Sequence, residues 1–62
     1  MYKNFEDLLK KYDKTPYRVS KDTGVSQSTL SDWKLGKSVP KVENLKKIAT
    51  YFDVTMDYLT KD

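Results

Sequence analysis

The stretch TPYRVSKDTGVSQSTLSDWKLGKSVP, residues 15–40, decides the fold, and its punctuation is the informative part. Thr15 carries a side chain able to cap free backbone N–H groups, and Pro16 follows at a first helical position, where its missing N–H costs nothing. Gly24 ends that helix at a point where the chain needs a positive φ, and Val25 is the buried residue of the turn. Ser26 caps a next helix running from Gln27 to about Leu35, which Gly36 ends in the same manner. Two caps and two glycines thus bracket two short helices.

Within the second of these helices the spacing sorts the side chains. At about 100° per residue, Leu30 and Trp33 share the buried side, while Ser28, Ser31, Asp32 and Leu35 fall opposite. A structural helix usually shows long Glu and Lys side chains outward, whereas this face is small and polar. Gln and Ser near a helix start are short hydrogen-bonding groups able to approach base edges in a groove about 12 Å wide. The face is expected to be a contact surface.

Upstream, Asn4 followed by Glu6 and Asp7 predicts a helix start, and Phe5, Leu8, Leu9 and Tyr12 give that helix one apolar face ending near Lys14. Lys10, Lys11 and Lys14 suit a helix C-terminus, with phosphate contact as the other use open to them. Downstream, residues 37–40 form a loop, and from Lys41 a fourth helix carries Val42, Leu45, Ile48, Ala49 and Phe52 at helical spacing. Asp53 and Val54 make a bend; Thr55 caps a last short helix with Asp57 in its first turn and Met56 and Leu59 turned inward. There is no repeat and no strand-like alternation. The expected fold is all-α, a compact arrangement of five helices in a single domain over residues 1–62, with Val19, Val25, Leu30, Trp33, Leu45, Ile48, Ala49, Phe52 and Leu59 in its core.

Composition narrows the function. A 62-residue chain hides only about 60% of the surface it exposes unfolded, which leaves no room for a catalytic cleft. The absence of Cys and His removes disulfides, zinc sites of the usual ligands and imidazole chemistry. No enzyme, metal, cofactor or small-molecule ligand is expected. No apolar run approaches the roughly 18 to 20 residues that span a bilayer, and residues 1–4 lack the features of a signal peptide, so a cytoplasmic location without membrane attachment is expected. Twelve Lys and Arg against nine Asp and Glu give a net charge of +3, and the pI near 9.2 suits a polyanionic partner while fitting many ordinary surfaces too.

Residues 15–40 resemble the helix-turn-helix of the phage repressor and Cro family, also called the XRE family. The matching features are Ser20 four before Gly24, then Val25, Ser26-Gln27-Ser28, Leu30, Trp33, Gly36-Lys37 and Pro40, all in register. VENLKKIATYFDVTMDYL, residues 42–59, is similar to that family's fourth and fifth helices, so the resemblance covers nearly the whole chain. It implies a lambda-repressor-like domain of a bacterial or phage-encoded regulator acting on the nucleoid, a repressor rather than an activator, with a double-stranded DNA operator as partner.

The resemblance also implies roles for residues. Gln27 begins the recognition helix and would hydrogen-bond an adenine or a nearby phosphate, with Ser28 beside it over the bases. Thr29 would touch a thymine methyl or a phosphate, or pack against the second helix. Ser31 and Asp32 lie further along; Asp32 would accept from a cytosine amino group, pair with Arg18 or a lysine, or reject a wrong base. Phosphate contacts fall to Thr15, Tyr17 and Arg18 at the start of the second helix, to Ser26, and to Lys34, Lys37 and Lys41 around the loop after the third. Met56, Tyr58 and Leu59 are similar to the helix through which some relatives associate, or else they close the core. A homodimer would place recognition helices about 34 Å apart on a palindromic operator.

The chain departs from the family in carrying Pro16 where relatives often have a phosphate-gripping glutamine that braces Gln27. Lys41 replaces a common Ser or Thr cap, and Asp53 stands where glycine is frequent. The competing reading is a protein-interaction module, antitoxin-like or antirepressor-like, with DNA binding secondary.

Overall fold

In the computed structural model, which describes residues 1–61, Thr15 and Pro16 open a helix as their chemistry dictates. The Thr15 hydroxyl accepts from the Arg18 N–H at 3.1 Å, and the helix runs Pro16–Thr23 until Gly24 turns left-handed at φ 83°. The Ser26 hydroxyl accepts from the Thr29 N–H at 3.1 Å and starts the helix Gln27–Lys34. Gly36, at φ 74°, closes that helix: its N–H reaches the Trp33 carbonyl and the Lys37 N–H reaches that of Asp32, satisfying two orphan acceptors. A Cβ on either glycine would meet no atom within 4 Å, so backbone conformation rather than crowding is what asks for glycine.

The full order is α1 (Tyr2–Lys11), α2 (Pro16–Thr23), α3 (Gln27–Lys34), α4 (Val42–Phe52) and α5 (Met56–Thr60). No strand occurs among the described residues, and no helix there is long and apolar enough to cross a membrane. The all-α, five-helix expectation therefore holds. Thr55 caps α5 through the Tyr58 N–H, and Lys41 stands at the N-cap of α4 without a side-chain cap bond.

The first helix corrects the expectation at both ends. It starts at Tyr2 with Met1 at the N-cap, and Asn4 lies inside it. The Asn4 amide instead donates to the Tyr58 carbonyl at 2.8 Å and to the Lys61 carbonyl at 2.7 Å, capping the end of α5 from a distance. The helix closes at Lys11 rather than near Lys14, because Asp13 turns left-handed at φ 54° and the Lys14 N–H reaches back to the Leu9 carbonyl. Asp53 repeats the device after α4 at φ 57°.

One core joins all five helices. Phe5, Leu8 and Leu9 of α1 pack with Val19, Val25, Leu30, Trp33, Leu45, Ile48, Ala49, Phe52 and Leu59, and each fully buried Val, Leu, Ile or Phe stabilises by about 1.5 to 3 kcal/mol. Two side chains expected inward are not. Val42 is 69% exposed and Met56 38% exposed; both begin their helices, where the wheel gives a direction but no neighbouring element lies along it. Tyr12 is exposed on one side and stacks on Phe52 on the other, ring centroids 5.7 Å apart.

A polar brace fixes α2 on α4. Tyr51 donates its hydroxyl hydrogen to the Asp22 carboxylate at 2.5 Å, and Arg18 Nε donates to the same oxygen at 3.1 Å. The Tyr51 hydrogen bond, followed by the Arg18 guanidinium, holds the Asp22 carboxyl below its usual range. The same bond to Asp22 raises the Tyr51 phenol.

Candidate nucleic-acid interface

The fold supports α3 from beneath through Leu30 and Trp33 and leaves its far side open. Trp33 is nearly fully buried, its ring against Phe5 at 5.4 Å and Tyr2 at 5.5 Å. Its indole N–H has no acceptor among the described residues. Gln27, Ser28, Ser31, Lys34 and Leu35 are exposed, and Thr29 and Asp32 are half-buried. Ser28, Ser31 and Leu35 are exposed as the spacing placed them, whereas Asp32, placed on the same face, is half-buried.

Two grooves flank the helix. One is lined by Tyr2, Pro16, Gln27, Leu30, Ser31 and Lys34, so Gln27, Ser31 and Lys34 form a row along the side nearest α1 and the start of α2. The other is lined by Thr29, Ser38, Val39, Pro40, Lys41, Glu43 and Asn44. Ser28 and Leu35 lie on the crest between. Such a ridge with a depression on each side matches what a major groove presents, a floor of base edges between two phosphate backbones.

The structure places the remaining sequence-predicted residues as follows. Thr29 faces the groove beside the α3–α4 loop, its hydroxyl 2.9 Å from that of Ser26, and Ser26 also serves as the cap of α3. Thr15, Tyr17 and Arg18 are exposed at the start of α2, and Lys37 and Lys41 are exposed on and after the loop. The side chain of Gln27 has no hydrogen-bond partner among the described residues, and beside it Pro16 offers only its ring. Arg18 is paired with Asp22 on its own helix. That replaces the Arg18–Asp32 pair left open by the sequence: Asp22 lies one helical turn away, and Asp32 joins neither ion pair found among the described residues.

At the far end, Met56 and Tyr58 are 38% and 36% exposed, but Leu59 is fully buried. Leu59 has no surface to offer a second subunit and closes this chain's own core. Sequence reasoning assigned no part to Tyr2 and Tyr51 and read Asn4 as a helix start rather than as the partner of α5. The i, i+4 spacing of Arg18 and Asp22 was a readable signal; nothing local marks the other three.

A helix-turn-helix on a small helical core, with a polar ridge between flanking grooves, defines a DNA-binding domain. The chain belongs to the XRE-type helix-turn-helix family, whose profile, described as Helix-turn-helix, matches residues 5–59. It is similar to the HTH-type transcriptional activator BcrR of Enterococcus faecalis, 38% identical over 45 residues that cover 73% of this chain and 22% of that protein. The chain thus spans about a fifth of the length of that relative. No solved structure matches it. The family match over residues 5–59 supports a DNA-binding helix-turn-helix domain.

Proposed function

We propose that this chain is a sequence-specific transcription regulator, reading a palindromic operator through the major groove and repressing transcription by occupying it. The observation that carries the reading is the open face of α3, where Gln27 presents an amide with no hydrogen-bond partner among the described residues. A Gln amide pairs its donor and acceptor with adenine N7 and N6, worth about 1 to 3 kcal/mol of discrimination. Ser28 approaches the neighbouring base edge, and Ser31, Asp32 and Thr29 set preference at flanking positions. Thr15, Tyr17, Arg18, Ser26, Lys34, Lys37 and Lys41 hold phosphates on either side and so fix register without reading sequence. The 62 residues act as one domain in this scheme, working on the nucleoid in the cytoplasm.

The operator is two-fold symmetric in this reading because two copies associate through Met56 and Tyr58, the large apolar side chains exposed on α5. Repression needs only occupancy of a promoter, which an operator-bound domain supplies. Activation is the second reading, favoured by the printed function of BcrR. A reporter with the chain's preferred site overlapping its promoter decides between them: transcription falls on expression of a repressor, and a rise establishes the second reading.

A further inference from the structure

The groove on the Gln27 side of α3 includes a residue to which neither the family match nor the reading above gives a role. Tyr2, the first residue of α1, lines it together with Pro16, Gln27, Leu30, Ser31 and Lys34. Its ring is clasped edge-on by Trp33, centroids 5.5 Å apart at 90°, and by Phe5 at 5.4 Å. That packing fixes where the hydroxyl stands. Among the described residues the hydroxyl makes no hydrogen bond, and burial, then the nearby Glu6 carboxylate, raises the phenol, so at neutral pH it keeps its proton.

The groove's polar and cationic lining residues suit an anionic, hydrogen-bond-accepting occupant set against its apolar floor. The polar and charged residues that line it are Tyr2, Gln27, Ser31 and Lys34, and no acidic residue lines it among the described residues; Glu6 is near Tyr2 but is not part of the wall. Pro16 supplies neither a side-chain donor nor an N–H. The groove is continuous with the recognition face, and a helix seated in a major groove has a sugar-phosphate strand along each side.

We infer that Tyr2 is a further DNA-contact residue, donating its hydroxyl to a backbone phosphate held beside Lys34 on the Gln27 side of the recognition helix. The inference rests on the DNA reading of α3. It brings α1 into the interface and makes the aromatic clasp with Trp33 the support of a phosphate contact. Being a backbone contact, it sets the depth and register of α3 and carries no base preference.

Tyr2→Phe tests it, because the ring that packs on Trp33 and Phe5 is retained. Affinity is measured by anisotropy for a preferred duplex and a scrambled one across a salt series, with Gln27→Ala alongside and melting curves for each variant. Tyr2→Phe is expected to weaken both duplexes by the same factor, about 3- to 10-fold, as for loss of one hydrogen bond. Its Tm and salt slope should stay at wild-type values, since a phenol displaces no counterion. Ethylation interference should show one phosphate per half-site whose modification costs the wild type more than it costs Tyr2→Phe, the Lys34 contact remaining in both. Wild-type affinity in Tyr2→Phe while Gln27→Ala loses preference overturns the Tyr2 contact alone. A weaker Tyr2→Phe whose Tm falls and whose interference pattern is unchanged overturns it too. A wild type that binds neither duplex overturns both this contact and the reading it rests on.

Discussion

Gln27 stands at the first turn of α3, exposed and without a hydrogen-bond partner among the described residues, so in the proposed reading its truncation leaves the fold untouched and removes readout. Gln27→Ala is expected to weaken binding to the preferred duplex by about 1 to 3 kcal/mol and relax preference at one base pair, read by titrating a panel of single-base variants. Lys37, exposed on the loop, should behave oppositely: Lys37→Ala weakens all duplexes alike and lowers the salt slope by about 1. Equal loss on every duplex for Gln27→Ala would reverse the division between base and phosphate contacts. At this scale the caps were legible, because Thr15, Ser26 and Thr55 each bond an N–H three residues on. Asn4 and Tyr51 were not, since their partners lie at least 54 and 29 residues away. Chain-local spacing carries no trace of such pairings, and Asn4 in particular reads as a cap of its own helix until α5 is seen above it.

Helix ends and helix contacts carry the next set of expectations. Asp13 and Asp53 occupy left-handed positions, at φ 54° and 57°, which glycine adopts more readily. Asp13→Gly and Asp53→Gly should each raise stability by about 0.5 to 1 kcal/mol in thermal melts. Gly24→Val places a β-branched residue at φ 83° and should lower stability by about 1 to 3 kcal/mol; an unchanged Tm would remove the conformational explanation of the turn.

The α2–α4 brace gives a pH signature. Asp22 is lowered in the fold, so its contribution is present above the ordinary carboxylate value of about 3.9 and lost as pH falls through the folded value. Tyr51 is raised, so its contribution is present below about 10 and lost as pH rises through the folded value. The Tm gap between wild type and Tyr51→Phe should therefore be widest from about pH 5 to 9 and close toward both extremes. A gap independent of pH would mean that the hydrogen bond is not what joins the two helices. Element order and type were readable from periodicity and caps, whereas the exposure of Val42 was not: periodicity assigns a face, and only the packed helices show where that face runs out of neighbours.

At the scale of the whole molecule, dimensions set what one copy does. Its longest extent is 25 Å, less than the roughly 34 Å between successive major-groove faces on one side of B-DNA. One copy is too short to reach two such faces, so in the proposed reading it covers one half-site and two adjacent copies cover the palindrome. Met56→Lys should abolish cooperative occupancy of two half-sites while leaving binding to a single half-site intact, as seen by footprint titration; undiminished cooperativity would move the subunit contact elsewhere. The architecture was largely legible because a domain this small has few ways to bury one apolar face per helix. The grooves beside α3 were not, being made by α1, α2 and the α3–α4 loop together.

The most direct test is selection of bound duplexes from a random DNA pool, with the best sequence then titrated against a scrambled one at two salt concentrations. Enrichment of a two-fold symmetric sequence, bound more tightly than the scrambled duplex and losing affinity steeply as salt rises, is the expected result. Recovery of no preferred sequence, with both duplexes bound equally and weakly, would contradict sequence-specific reading by α3.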